Sequence, residues 1–397
     1  MFSILTPTPP DALLGVMAAF GADLDPGKID LGVGVYRDAA GVTPVMKAVR
    51  AAEQEVLARQ ASKVYVGAGG NRAFAAFIEE LTLGAAHPAR QAGRVVTLQT
   101  PGGCGALRLA AELIARTDRA TRVSLSDPTW PNHAPLISGA GLPVEAYPYY
   151  DAATGSIAFE AMLATLERLP AGAVVLLQAS CHNPTGADLS AAQWQVLAEL
   201  LGRRGLVPLL DLAYQGLGDG LDADAAPVRL LAATLPELLV AVSCSKNFGL
   251  YRERVGAVIV LAPTAPAATT VMGHLQGLAR RMYSMPPDHG AAIVAAVAAN
   301  PAFKRDWLAE LEAMRTRVIG LRQPLAAALR CATGSPRFDF IGQQRGMFSL
   351  LGLDASQVGA LRDRHHVYVA PDSRMNVAGL GETQIERLAA AIAAVLR

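Results

Sequence analysis

A chain of 397 residues is long for a single compact core, so two domains, or one large α/β unit with room for a cleft, are expected. With 35 Lys plus Arg against 34 Asp plus Glu, no net field draws in nucleic acid or an anionic membrane, and any basic site must be local. No apolar run reaches the ~18 residues of a membrane span and no signal pattern opens the chain. Cys104, Cys181, Cys244 and Cys331 form neither a C-x-x-C pair nor a disulfide framework, so a reducing cytoplasm is the expected compartment.

Pro7, Pro9 and Pro10 bar regular helix from the opening, which reads as an extended arm. From about Gly93 to Val260, short apolar runs alternate with amphipathic stretches: Val95 to Leu98, Arg122 to Ser126, Ala173 to Gln178, Leu206 to Asp211, Leu238 to Ser243 and Val255 to Val260. Such runs suit strands buried on both faces, which predicts a mostly parallel sheet covered by helices. Ala191 to Arg203 shows helical spacing of Trp194, Leu197, Leu200 and Leu201, with Ser190 placed as N-cap. Beyond Pro301 come a charged helical stretch (Lys304 to Leu329), a strand-like and turn-rich region (Phe338 to Leu353) and a closing helix after Glu382, together read as a second, smaller domain.

In an open parallel sheet ligands bind beyond the carboxyl ends of the strands, and the unusual residues fall there. Val95 to Leu98 runs into Thr100-Pro101-Gly102-Gly103-Cys104-Gly105, where glycines admit a ligand to the backbone and a helix start favours an anion. Arg108 stands where a dinucleotide fingerprint wants a small residue, and no G-K-[ST] or G-x-S-x-G turn occurs. Later strands lead into Asp127 to His133, which includes Trp130, into Ser180 to Gly186, which includes Asn183, and into Asp211 with Tyr214 close behind. The last loop, Ser243-Cys244-Ser245-Lys246-Asn247-Phe248-Gly249, continues to Arg254 and Gly256. Taken singly, each feature has an ordinary explanation: a core tryptophan, a structural histidine, an asparagine-proline turn, a capping aspartate. Together they would converge on one crevice.

The pattern Ser243-x-Ser245-Lys246-x-x-Gly249-x-x-x-x-Arg254-x-Gly256 resembles the pyridoxal-phosphate attachment site of class I aminotransferases. Asn183-Pro184-x-Gly186, Asp211-x-x-Tyr214 and Arg374 match the same family in order, from about Pro10 onward. Ile29 to Tyr36, Ser126 to His133, Cys181 to Leu189 and Arg345 to Ser349 look like the aspartate and aromatic amino acid branch. The resemblance implies pyridoxal-phosphate-dependent transferase fold type I. Its large domain would carry a mostly parallel sheet sandwiched by helices (44–312), and a smaller α/β domain would be built from 1–43 and 313–397.

By the same resemblance, Lys246 holds pyridoxal 5′-phosphate as an imine and then moves the substrate α-proton, Asp211 pairs with the pyridine nitrogen, and His133 supports Asp211. Asn183 and Tyr214 would bond the ring hydroxyl, and Trp130 would stack on the ring. Arg254, Ser243, Ser245, Gly102, Gly103 and Cys104 would hold the phosphate. Tyr65, which in isolation reads as a core aromatic, would reach the phosphate of a neighbouring subunit in a homodimer. Arg374 would clamp the substrate α-carboxylate, with Gly34, Asn183, Trp130 and Phe348 around the substrate. Arg280 would meet the distal carboxylate of a dicarboxylic substrate from the partner subunit. No metal is expected.

Some positions depart from the family. Cys104 replaces a hydroxyl residue, which weakens a donor to the phosphate. Val64 and Met285 are apolar where aspartate-restricted relatives tend to carry asparagine, which favours an aromatic co-substrate. Pro371-Asp372-Ser373 alters the turn before Arg374, and His365-His366 replaces an aromatic-glycine pair in what reads as a surface turn. The expected reaction is ping-pong amino transfer from tyrosine, phenylalanine or aspartate to 2-oxoglutarate, with small molecules as the only ligands. Rival expectations are a strict aspartate aminotransferase, a decarboxylase or lyase on the same scaffold, a non-catalytic regulator, and a dehydrogenase, which lacks its glycine fingerprint.

Overall fold

In the computed structural model, which describes residues 1–7 and 12–397, the apolar runs become one sheet. Its seven strands, numbered in chain order, are β1 (Val95–Pro101), β2 (Val123–Asp127), β3 (Val144–Pro148), β4 (Val174–Gln178), β5 (Val207–Leu212), β6 (Leu238–Ser243) and β7 (Val255–Leu261). They lie side by side in the order β1-β7-β6-β5-β4-β2-β3. The run β3-β2-β4-β5-β6 is parallel, whereas β7 is antiparallel to both its neighbours. Chain length explains the exception, because Cys244 to Arg254 alone joins β6 to β7 and a parallel crossover needs a dozen or more residues.

Strands β4, β6 and β7 are buried along their whole length, as expected where helices cover both faces. Strand β3, which hydropathy does not single out, is an open edge on which only Tyr147 is buried, and it ends at Pro148. Helix α1 (Gly102–Thr117) lays Ala106, Leu109, Ala110 and Leu113 into the core with Leu98, Leu125 and Val258. That spacing is one helical stripe, and each leucine in it contributes about 1.5–3 kcal/mol by leaving water. Helix α2 (Ala191–Arg204) starts at Ser190, whose hydroxyl accepts from Gln193 N, and ends at Gly205 in the left-handed region.

By internal contact density the chain divides into two compact units. The larger comprises Pro44–Asn183 and Ala187–Arg317 and carries the sheet; the smaller comprises Met1–Thr43, Pro184–Gly186 and Val318–Arg397. Within the smaller unit, Ile29–Asp30 pairs in parallel with Val367–Tyr368, and Phe348–Leu350 pairs antiparallel with Arg374–Asn376. Its core gathers Leu321, Leu325, Phe338, Ile341, Leu361, Met375 and Leu388.

The charged stretch after Asn300 is a single helix, α3 (Pro301–Thr333), and the closing helix is Ile385–Val395. The turn-rich region becomes a 3-10 segment, Pro336–Gly342, and the three-residue strand Phe348–Leu350. Phe2–Ile4 forms a 3-10 turn within the stretch read as an extended arm, and Pro9 and Pro10 lie outside the described residues. Among the described residues no helix is long and apolar enough to cross a membrane, and the four cysteines form no disulfide.

Candidate active site

Strand β5 delivers Asp211 beside Gln178 of β4 and Ala241 of β6, near the carboxyl ends of all three. The Asp211 carboxylate is buried and lies 3.0 Å from His133 Nε2. The other ring nitrogen, Nδ1, is 2.7 Å from the Thr129 hydroxyl. With both nitrogens engaged the imidazole cannot rotate freely, so the carboxylate is oriented by protein rather than by solvent. Trp130, half-buried, meets the His133 ring edge-on at 5.3 Å.

Three residues beyond Asp211, Tyr214 accepts at its hydroxyl from Asn183 Nδ2 at 3.2 Å. Asn183 is itself fixed by Gln178, whose Oε1 accepts from Asn183 N at 2.8 Å and whose Nε2 donates to Asn183 O at 2.9 Å. Lys246 lies in the loop after β6, and its Nζ stands 4.8 Å from the centre of the Tyr214 ring. Lys246, Tyr214, Asn183, Asp211 and His133 therefore gather at one end of the sheet within the larger unit. A basic amine, a buried carboxylate and two hydrogen-bonding side chains form a set able to hold a heteroaromatic ring and move protons on it.

An anion cradle adjoins this set. Helix α1 begins at Gly102 behind Pro101, which supplies no side-chain cap, so the first-turn N–H groups keep their capacity to donate. Gly102 has φ +71°, and a Cβ there would sit 2.6 Å from Arg254 Nη2; one on Gly103 would lie 3.2 Å from Ser243 Cβ. Only glycines let this helix start approach the guanidinium and the serine so closely. Ser243 Oγ accepts from Ser245 N at 3.3 Å, and Arg254 Nη1 donates to Tyr251 O at 3.1 Å. Asn132 Nδ2 lies 3.8 Å from Cys104 Sγ. Uncapped helix amides, a guanidinium fork and serine hydroxyls make a donor set that fits a phosphate group.

In the smaller unit, Arg374 places its guanidinium 4.5 Å over the Phe348 ring and donates from Nη2 to Gly32 O at 3.2 Å. A Cβ on Gly34 would come within 2.9 Å of Phe348 Cζ, so the ring fills the space a side chain would need. Several groups around this cluster are absent from the sequence reading. Asn376 Nδ2 donates to Val33 O at 2.6 Å and Val35 O at 2.7 Å, and Arg37 pairs with Asp30 at 2.5 Å. One signal for Asn376 was available: it lies two residues after Arg374, on the same face of a strand. The seven-residue separation of Asp30 and Arg37 offered none.

Tyr65 is 83% exposed in the single chain, so it is not the core aromatic that it reads as in isolation. His366 lies in the left-handed turn that closes the helix Ala355–His365, and its Nδ1 is 2.8 Å from Asp23 Oδ2, an atom that also accepts from Tyr368 OH at 2.8 Å. Arg280 is exposed and donates to Ser284 Oγ. Within one chain neither Tyr65 nor Arg280 bonds to the Lys246 cluster. His182, in the turn after β4, is a satisfied core group, stacked on Tyr149 at 4.1 Å and 3.1 Å from Ser126 Oγ. Burial, helped by nearby His133, pushes its pKa down to about 3 and keeps it neutral.

A doubly covered sheet with one antiparallel strand, and a lysine on the loop that precedes that strand, agree with the fold type I transferase architecture that the sequence resemblance implies. The family profile for aminotransferase class I and II matches residues 26–392. The aromatic-amino-acid aminotransferase of Pseudomonas aeruginosa is 50% identical over 394 residues, covering 99% of this chain and 98% of its own. The aspartate aminotransferase of Salmonella typhi is 45% identical over 396 residues, 100% of both chains. In structure, the aromatic-amino-acid aminotransferase from Burkholderia pseudomallei covalently bound to pyridoxal phosphate superposes with a TM-score of 0.97 at 44% identity, covering 100% of both chains. The chain belongs to the class I and II aminotransferase family.

Proposed function

We propose that this aminotransferase uses pyridoxal 5′-phosphate and moves the amino group of tyrosine, phenylalanine or aspartate to 2-oxoglutarate in a ping-pong cycle, as a cytoplasmic homodimer. The observation that carries the reading is the gathering of Lys246, Asp211 and the uncapped start of α1 at one end of the sheet. When bound, pyridoxal phosphate supplies an aldehyde that takes up an amine and a ring that accepts the electron pair left by a departing α-proton.

Asp211, oriented by His133, keeps a proton on the ring nitrogen, without which the ring is a poor electron acceptor. Lys246 Nζ is the amine that would hold the cofactor through its aldehyde. Once neutral, that lysine amine would serve as the base for the substrate α-proton; an ordinary lysine, with a pKa of about 10.4, is mostly protonated and so a weak base at neutral pH. Asn183 and Tyr214 donate to the ring hydroxyl, and Trp130 offers an aromatic face. Arg254, Ser243, Ser245, Cys104 and the amides at Gly102 and Gly103 would hold the phosphate, an anchor separate from Lys246.

Arg374, steadied on Phe348 beside Gly34, binds the substrate α-carboxylate. Exposure of Tyr65 and of Arg280 supports their acting on a second copy: Tyr65 on its phosphate, Arg280 on the distal carboxylate of aspartate, glutamate or 2-oxoglutarate. The apolar side chains of Val64 and Met285 favour aromatic donors. The wide spacing of the four cysteines, with no C-x-x-C pair, suits a reducing compartment.

A donor panel tests the reading, comparing kcat/KM for tyrosine, phenylalanine and aspartate with 2-oxoglutarate as acceptor. Stoichiometric glutamate and 2-oxo acid from both donor types are expected. Release of carbon dioxide or ammonia in place of a 2-oxo acid would show that the scaffold performs a different reaction.

A further inference from the structure

Arg322 is 1% exposed and, after Trp307, the largest of the fully buried side chains among the described residues. It projects from α3 inside the smaller unit and donates to five oxygens of one short segment. Nη1 reaches Ile341 O at 3.2 Å and Ser349 Oγ at 3.0 Å, while Nη2 reaches Arg345 O at 3.1 Å, Gly346 O at 2.6 Å and Phe348 O at 2.9 Å. Ser349 Oγ passes the link on to Gln344 Oε1 at 2.6 Å. A guanidinium stays charged at any working pH, and the hydrogen bonds of Nη1 and Nη2 offset the cost of burying that cation. The planar fork therefore dictates where the carbonyls of 341–349 must point.

That segment carries the underside of the carboxylate site. Phe348, whose carbonyl Arg322 holds, supports the Arg374 guanidinium with its ring, and the register pairs Leu350 with Arg374 and Phe348 with Asn376. Asn376 in turn ties Val33 and Val35 on either side of Gly34. The same Phe348 carbonyl is closely approached by Gly186, where a Cβ would come within 2.3 Å of it, and Arg345 N donates to Gly186 O at 2.9 Å. Glycine with φ +71° leaves room on one side of the segment while Arg322 fixes the other.

We propose that Arg322 is a positioning residue for substrate carboxylate recognition: by holding residues 341–349 it sets the Phe348 ring under Arg374 and so fixes the direction of the guanidinium. The proposal rests on the reading of Arg374 as the α-carboxylate clamp. Arg322 touches no substrate; it acts through Phe348 and Arg374. Lysine in its place keeps the charge but offers donors from a single point, which cannot serve Ile341 and Phe348 together.

The test uses the full-length holoenzyme and compares phenylalanine with phenethylamine, which lacks the carboxylate, in single-turnover half-reactions. Arg322→Met is expected to raise the KM for phenylalanine and 2-oxoglutarate about tenfold or more, the effect of losing charge-assisted hydrogen bonds that steady the site. The phenethylamine rate and the visible absorbance of bound cofactor should not change. Arg322→Lys should restore part of the loss. In an Arg374→Ala background, Arg322→Met should add nothing to KM. Equal loss on phenylalanine and phenethylamine, or full additivity with Arg374→Ala, would overturn the proposal. If Arg374→Ala alone leaves KM untouched, the clamp assignment falls and takes this proposal with it; an unresponsive Arg322 beside a responsive Arg374 defeats the proposal alone. Should Arg322→Met not fold, Ser349→Ala, which removes one of the five contacts, should raise KM about two- to threefold with the phenethylamine rate unmoved, and an unchanged KM would count against the proposal.

Discussion

Asp211 and His133 are 78 residues apart in the chain and meet at 3.0 Å, with the far nitrogen of the imidazole 2.7 Å from the Thr129 hydroxyl. A carboxylate held this way is aimed before any ligand arrives. His133→Ala should lower the rate of the amino acid half-reaction about tenfold while KM changes little, as is usual when a supporting hydrogen bond behind a reactive group is lost. Asp211→Ala, which removes the carboxylate itself, should cost far more. Stopped-flow half-reactions make the comparison, and equal rates for wild type and His133→Ala would show that Asp211 needs no such support.

Gly102→Ala would force a side chain into φ +71° and bring a Cβ within 2.6 Å of Arg254 Nη2. The backbone conformation costs about 1–2 kcal/mol for a non-glycine residue, and Arg254 must also move, so cofactor binding should weaken about tenfold or more. Cys104→Ser should shift affinity the other way, by a few-fold, because a hydroxyl donates better than a thiol. Fluorescence titration of the apoenzyme with pyridoxal phosphate reads both. Unchanged affinity in Gly102→Ala would mean that the cradle at α1 is not the phosphate site.

Replacing Arg280 with alanine should reduce kcat/KM for aspartate and 2-oxoglutarate by about two orders of magnitude or more, the scale of losing a charged hydrogen-bonded partner, and affect phenylalanine far less. Steady-state kinetics across these substrates decide the matter. Equal loss on all three would place Arg280 outside substrate recognition.

Asp23 provides a pH prediction. Its carboxyl is held down at about 2, against an ordinary 3.8, by the Asp25 backbone N–H, then by His366 and the Tyr368 hydroxyl. A carboxyl lowered on folding stabilises the protein above the unfolded pKa, and that contribution disappears as pH falls through the folded value. Asp23→Asn should therefore unfold at lower urea than wild type at neutral pH, with the gap narrowing between about pH 4 and pH 2. A gap that stays constant down to the acid end would show that the charge of Asp23 is irrelevant.

Much of this arrangement is legible in the sequence, because a uniformly apolar strand makes any polar residue at its end conspicuous. Lys246 and Asp211 stand out as charges set at the ends of such runs, and the glycines at 102 and 103 mark a backbone that must come close to something. Edge strand β3 escapes the same logic, since a strand with one open side needs no continuous apolar run. Arg322 is less visible still. It lies in a helix rich in arginine, and the carbonyls it serves are 19 to 26 residues further on, so nothing local distinguishes it from a solvated neighbour. Tyr65 taken in isolation reads as a core aromatic, yet it is solvent-facing in the single chain.

If the proposed function holds, the ε-amine at position 246 carries the cofactor. The chain has only five lysines, Lys28, Lys47, Lys63, Lys246 and Lys304, so borohydride reduction of the holoenzyme and peptide mass mapping give an unambiguous answer. The added mass of reduced pyridoxal phosphate should appear on the peptide containing Lys246 and on no other, with the visible band lost in step. Label on a different lysine, or an enzyme that turns over without any label, would contradict the account.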